Sequence, residues 1–89
     1  MSVSTFHILL IDDDEDDYVV MRDLCGEISP SNYKITWKSS YQEGLEALQR
    51  QKFDVCLLDY RLGAKTGIEL LQETHKLGLR CPTILLTGV

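Results

Sequence analysis

Short, nearly continuous apolar runs that end on polar side chains constrain the fold of this chain most strongly. Three such runs occur: "FHILLI" (6–11), "FDVCLLDY" (53–60) and "CPTILLTG" (81–88). Runs of this kind are typical of strands that are buried on both faces, as in a parallel sheet. A fourth segment, "YKITWKS" (33–39), alternates apolar and polar residues. That alternation predicts a half-buried strand at or near a sheet edge.

Helical periodicity fills the intervals between these strands. Apolar residues recur every three or four positions over 15–28, 41–51 and 68–77, and Gly78 is well placed to end the last of these segments. Residues 61–67, "RLGAKTG", are interpreted as a loop. The order βαβαβαβ predicts an α/β fold with an open, doubly wound parallel sheet and helices on both faces. Ligands of such sheets bind at the carboxyl ends of the strands.

Length and composition exclude several classes of protein. The 89 residues allow one domain. The 14 acids against 9 bases give a net charge of −5, which disfavours binding to nucleic acid. Three cysteines without a C-x-x-C pair indicate neither a disulfide framework nor a zinc site. No apolar run is long enough to span a bilayer, and no secretory signal is recognisable. We therefore expect a cytoplasmic protein with no membrane contact.

Polar side chains follow three of the predicted strands. Asp12 and Asp13 follow the first, Asp59 ends the third, and Thr87 with Gly88 ends the fourth. If the strands are parallel neighbours, these groups converge on one edge of the sheet. Three carboxylates that close together would repel one another unless a cation is present, and carboxylate oxygens suit Mg²⁺.

A carboxylate held beside Mg²⁺ can act as a nucleophile toward phosphorus, and Asp59 is the best placed candidate. The resulting acyl phosphate would need hydrogen-bond donors. The Thr87 hydroxyl and a backbone N–H beside Gly88 are the predicted donors.

The six consecutive acids at 12–17 allow more than one interpretation. Carboxylates stabilise the first turn of a helix, so 14–17 are assigned to the helix start, with Asp14 as its cap. A calcium-binding EF-hand loop is disfavoured, because Asp17 stands where that loop needs glycine and Asp23 where it needs glutamate. For Asp59, Thr87 and Gly88, ordinary capping or turn roles remain open.

Three motifs together resemble the receiver domain of two-component response regulators: "ILLIDDD", "DVCLLDYRLGAKTG" and "PTILLTG". The resemblance implies a flavodoxin-like, CheY-like fold with strand order 2-1-3-4-5. It implies that Asp59 accepts a phosphoryl group. It also implies that Asp13 and Asp59 bind Mg²⁺ directly, while Asp12 binds it mainly through water. The backbone carbonyl of Arg61 is implied as a further ligand. Gly67 matches the glycine of the loop after the third strand, and Thr87 matches the hydroxyl residue that moves toward the phosphoryl group.

The chain departs from the family pattern at two loop positions and in its extent. Gly63 stands where many members have proline, and Thr66 where many have an acid. Residues 1–89 match the family only through its fourth strand, so we expect an incomplete receiver domain that lacks the fourth helix, fifth strand and fifth helix. The exposed edge of the fourth strand is then expected to favour dimerisation.

The first functional hypothesis is a phosphoacceptor, and not an enzyme. It would take its phosphoryl group from a sensor histidine kinase or a histidine phosphotransfer protein and signal to an output domain or effector. A second hypothesis is a Mg²⁺-dependent phosphohydrolase of the haloacid-dehalogenase type, for which Asp12 and Asp14 would supply the D-x-D motif. A third is a truncated receiver that serves only as an interaction module.

Overall fold

Strands and helices alternate along the part of the chain that the structure, a computed structural model, describes: residues 5–28 and 32–86. The elements are β1 (Phe6–Ile11), α1 (Glu15–Ile28), β2 (Tyr33–Lys38), α2 (Tyr41–Arg50), β3 (Val55–Asp59), β4 (Arg61–Leu62), β5 (Lys65–Thr66), α3 (Gly67–Lys76) and β6 (Thr83–Leu86). No helix within these residues is long and apolar enough to cross a bilayer.

Four parallel strands form the main sheet in the order β2-β1-β3-β6. Strand β1 pairs with β2 from Phe6 to Ile11 and with β3 from Ile8 to Ile11, so it occupies the interior of the sheet. Strand β3 pairs in turn with β6. This order confirms the predicted open parallel sheet, with the alternating strand β2 at one edge.

Helices pack on both faces of the sheet, which explains the continuous apolar run of β1. Leu9 and Ile11 join the core formed with α2 and α3, whereas Leu10 lies on the opposite face and lines a cavity with Val20 and Met21 of α1. Leu9, Leu10 and Ile11 are each fully buried. At about 25 cal/mol for each Å² of apolar surface removed from water, such a strand contributes strongly to stability.

The segment between β3 and α3 departs from the prediction. Residues 61–67 were expected to form a loop, but β4 and β5 pair as a small antiparallel hairpin in which Gly63 has φ +66°. Proline, which fixes φ near −65°, could not adopt this conformation. Thr66 then caps α3 through a reciprocal capping box with Glu69, the T-x-x-E pattern of a helix start. The hairpin and the cap fix the chain directly after Asp59.

Gly67 begins α3 and lies close against the end of β3. Its N–H donates to the Tyr60 carbonyl at 2.6 Å. A Cβ at this position would lie 2.5 Å from the Asp59 carbonyl oxygen and 2.9 Å from the Leu85 Cδ1 atom. The absence of a side chain therefore allows the close approach of α3 to the end of β3.

Replacing Gly67 with alanine is expected to lower the free energy of unfolding by about 1–3 kcal/mol, because the added methyl group must displace backbone. Urea unfolding measures the change. Gly26→Ala is the matched control, since a Cβ there meets only the Tyr33 hydroxyl at 3.4 Å. That variant should be neutral or up to about 1 kcal/mol more stable, as expected inside a helix. Equal stabilities of Gly67→Ala and the wild type would contradict the close-packing explanation.

Candidate functional site

Three carboxylates meet at the carboxyl edge of the sheet. One oxygen atom each of Asp12, Asp13 and Asp59 lies within 4.8 Å of the others. Asp12 directly follows β1, and Asp59 is the last residue of β3. Because Ile11 pairs with Leu58 in the parallel register, the next residues of the two strands come side by side. The sheet itself therefore brings the acids together.

The backbone and side chain of Asp12 are held by hydrogen bonds inside the protein. Its side chain is almost fully buried, with 2% of the residue exposed, whereas Asp13 is exposed and Asp59 half-buried. The Asp12 carboxylate accepts the Asp14 N–H at 2.9 Å. Its backbone N–H donates to the Lys38 carbonyl at 3.1 Å, and its carbonyl accepts the Trp37 indole N–H at 2.8 Å.

The environment of these acids opposes their ionisation. The pKa of Asp12 is raised to about 7, chiefly by burial and also by the neighbouring Asp17 and Asp59, while the hydrogen bond from the Asp14 N–H acts in the opposite direction. Burial, followed by the charge of Asp13, also raises the pKa of Asp59. Both pKa shifts therefore arise first from lost solvation of the carboxylate and second from the negative charge of neighbouring acids.

Protein cations do not offset this charge in the described residues. The ion pair found within 5–28 and 32–86 joins Arg22 to Asp23, both largely exposed. Lys65, in the hairpin beyond Asp59, lies with its ammonium group 4.4 Å from the centre of the Tyr41 ring. The three carboxylate oxygens could hold a divalent cation.

A cavity of about 200 Å³ opens beside the acids. Asp12, Asp17 and Asp59 line it together with apolar side chains of α1 and the last residue of β6, Leu86. Leu86 pairs with Asp59 in the register of the sheet, and its carbonyl accepts the Tyr60 N–H at 3.0 Å. Asp59 is thus half-buried and borders this cavity.

Within the acidic run at 12–17, the position of Asp17 differs from the prediction. Asp14 precedes α1 and accepts the Asp16 N–H at 2.9 Å, in agreement with its predicted capping role. Asp17, which was assigned to the helix start alone, lies in the first turn of α1 but also borders the cavity and acts on the pKa of Asp12. Side chains of a helix tilt toward its N-terminus, and this tilt is the signal that could have placed Asp17 beside the site.

The remaining predicted site residues differ in how far the structure describes them. Arg61 begins β4, two residues after Asp59, and its N–H lowers the pKa of that acid by hydrogen bonding. Gly67 packs against the Asp59 carbonyl, as described above. Thr87 and Gly88 lie outside the described residues, so their phosphate-binding role stays a prediction.

We expect Asp12→Asn to raise the free energy of unfolding in metal-free buffer, by at least about 1 kcal/mol at neutral pH, since one pKa unit is worth about 1.4 kcal/mol. The folded pKa of about 7 exceeds the unfolded value of 3.8. The folded wild type therefore binds more protons than the unfolded chain between these values and loses stability as pH rises from about 4 to 7.

Urea unfolding in EDTA across this pH range measures the difference in free energy of unfolding between Asp12→Asn and the wild type. It should grow with pH and level off above about pH 7, the folded pKa. Asp23→Asn, which changes an exposed acid of α1, is the control and should show little change. An Asp12→Asn protein that is less stable than the wild type at pH 8 would contradict the raised pKa of Asp12.

Comparisons with known proteins agree on one family. A model of the response regulator receiver domain matches residues 8–89. The uncharacterized transcriptional regulatory protein YkoG of Bacillus subtilis is 35% identical over 82 residues, which cover 92% of this chain and 35% of YkoG. The chain thus spans about a third of the length of that relative.

Solved structures of receiver domains share the fold. A CheY-like receiver domain protein from Methanospirillum hungatei superposes with a TM-score of 0.82 and 28% identity, covering 97% of this chain and 66% of that one. TrrA of Thermotoga maritima, solved in complex with Mg²⁺-BeF, gives a TM-score of 0.83 at 24% identity, covering 96% and 71% of the two chains. The family match, the β2-β1-β3-β6 sheet and the strand-end acids together establish that this chain belongs to the response regulator receiver domain family.

Proposed function

We propose that this chain is the phospho-accepting module of a two-component phosphorelay, with Asp59 as its acceptor. The observation that carries the proposal is the position of Asp59, which ends an interior strand within 4.8 Å of two further carboxylates. Its carboxylate is half-buried yet borders an open cavity, so a phosphoryl donor can approach it.

Mg²⁺ is the proposed cofactor, and the donor set suits it. Oxygen ligands of one Mg²⁺ ion, each bound at about 2.1 Å, lie about 3–4 Å apart, and the three acids already present oxygens at nearly this spacing. Asp13 and Asp59 would bind the ion directly, Asp12 mainly through water, and the Arg61 backbone carbonyl would complete the protein ligands. The Mg²⁺-BeF complex of TrrA, a protein of the same fold, supports this assignment. When bound, the ion neutralises charge on the incoming phosphoryl group.

The chemistry assigned to Asp59 is a single displacement at phosphorus. One Asp59 carboxylate oxygen attacks the phosphorus of a phosphohistidine, the P–N bond breaks, and its electron pair returns to the imidazole nitrogen. The product is an acyl phosphate on Asp59 and a free histidine on the donor. The hydroxyl of Thr87 and the N–H of Gly88 are the proposed donors to the new phosphoryl oxygens.

The proposed partners follow from this chemistry. The donor is a sensor histidine kinase or a histidine phosphotransfer protein in the cytoplasm, and the phosphorylated state is read by an output domain or an effector protein. YkoG is named as a transcriptional regulator, which supports an output on gene expression. With a net charge of −5, the chain itself is not proposed to contact nucleic acid.

Phosphorylation is expected on incubation with acetyl phosphate and Mg²⁺, and intact-mass spectrometry should show the addition of one phosphoryl group. The adduct should be stable in acid and labile in base, and absent without Mg²⁺. Asp59→Asn should abolish it. Asp54→Asn should retain it, because Asp54 precedes β3 at the opposite end of that strand.

Two outcomes would contradict the proposal. A folded protein that forms no adduct would favour an interaction module without phosphorylation. Multiple turnover of phosphate esters that is lost in Asp12→Asn would instead favour the phosphohydrolase.

We further propose that two copies associate through β6. This strand forms an edge of the described sheet, and its Ile84 is 55% exposed. Unpaired edge strands with apolar side chains favour pairing with another chain.

Light scattering is expected to show a mass that rises with protein concentration. Ile84→Lys should shift the protein toward the monomer, because a charge on an edge strand opposes pairing. Ile68→Lys, at an exposed position on α3, should behave like the wild type. A wild-type monomer at all concentrations would contradict association through this edge.

A further inference from the structure

The backbone of Asp12 is held on both sides by one neighbouring strand. Its N–H donates to Lys38 of β2, and its carbonyl accepts the indole N–H of Trp37, also of β2. The regular pairing of β1 with β2 ends at Ile11 and Lys38. The hydrogen bond from the indole therefore holds one further carbonyl group, that of Asp12, beyond the last residue pair of β1 and β2.

That carbonyl group belongs to the peptide unit that joins Asp12 to Asp13. A peptide unit is planar, so fixing its oxygen also fixes the direction of the following N–H and the position of the Asp13 Cα atom. Two of the three acids in the cluster therefore depend on the orientation of this one unit. Without a restraint, repulsion between the carboxylates would favour rotation of the unit and separation of the acids.

The indole is itself held by aromatic packing. The rings of Trp37 and Tyr18 stack with centroids 5.3 Å apart and an angle of 10° between their planes. The guanidinium carbon of Arg22, which lies four residues further along α1, is 5.8 Å from the centre of the Tyr18 ring. These contacts join the first turns of α1 to the edge strand and leave the indole N–H aimed at Asp12.

From this geometry we propose that Trp37 is a positioning residue for the metal site, acting through its indole N–H on the Asp12–Asp13 peptide unit. The inference rests on the proposed function, because it assigns Trp37 a role toward the Mg²⁺ that these acids would hold. Groups that orient metal ligands commonly change metal affinity by about 10–100-fold when they are removed. A purely structural hydrogen bond would affect folding and leave the affinity unchanged.

The test replaces one atom of the Trp37 ring in the full 89-residue chain, prepared by chemical synthesis and ligation. Benzothienylalanine keeps the shape and stacking of tryptophan but has sulfur in place of the N–H. 7-Azatryptophan keeps the N–H and is the matched rescue. Trp37→Phe repeats the loss of the donor by mutagenesis. Tyr33→Phe is the control for the loss of another side-chain bond from β2 to a backbone carbonyl, since the Tyr33 hydroxyl donates to the Arg22 carbonyl of α1 at 3.4 Å.

Each protein is unfolded with urea over a series of MgCl₂ concentrations, which yields both its metal-free stability and its Mg²⁺ dissociation constant. The sulfur analogue and Trp37→Phe are expected to weaken Mg²⁺ binding about tenfold. The azatryptophan protein and Tyr33→Phe should stay within twofold of the wild type. Since Trp37 is the sole tryptophan, wild-type fluorescence gives a second measure of Mg²⁺ binding.

The outcomes separate this inference from the proposed function. If the wild type responds to Mg²⁺ and the sulfur analogue binds it within twofold as tightly, the positioning role is wrong while the metal site stands. If wild-type unfolding and fluorescence are both insensitive to Mg²⁺, the metal site is wrong and the role of Trp37 falls with it. A Tyr33→Phe protein weakened as much as the analogue would also overturn the inference, since the effect would then not be specific to Asp12.

Discussion

The parallel pairing of β1 with both β2 and β3 is the constraint on which the rest of the structure depends. It makes β1 an interior strand, which explains its fully buried leucine and isoleucine side chains. It also fixes the register in which Asp12 and Asp59 emerge side by side. The same hydrogen-bond ladder that forms the core therefore delivers the acids, and no loop has to fold back to assemble them.

The acid cluster illustrates a conflict between stability and chemistry. Burial and mutual repulsion make Asp12 and Asp59 harder to ionise, as their raised pKa values show. An ordinary structural site would relieve this repulsion with a lysine or arginine, and no such pair reaches these acids in the described residues. Retained repulsion of this kind is typical of functional sites, where a ligand supplies the missing charge.

The sequence predicted the elements whose patterns are local and strong. Continuous apolar runs located β1, β3 and β6, and the acids at two strand ends predicted the edge at which they meet. The hairpin at 61–66 was missed, because two-residue strands leave no periodic pattern and Gly63 adopts a conformation that composition alone does not specify. The Trp37 bond to Asp12 joins residues 25 positions apart and depends on the side-chain direction at an edge strand, which hydrophobic periodicity cannot report.

The close approach of Gly67 to β3 has a consequence for the backbone of Asp59, the proposed phosphoacceptor. The Asp59 carbonyl lies against the first residue of α3, and the capping box of that helix holds Gly67 in place from the other side. This packing, with the hydrogen bond from the Gly67 N–H to the Tyr60 carbonyl, restricts movement of the main chain at Asp59. The neighbouring strand β6 has no buried residue, so local opening is expected to be easier there than in β3.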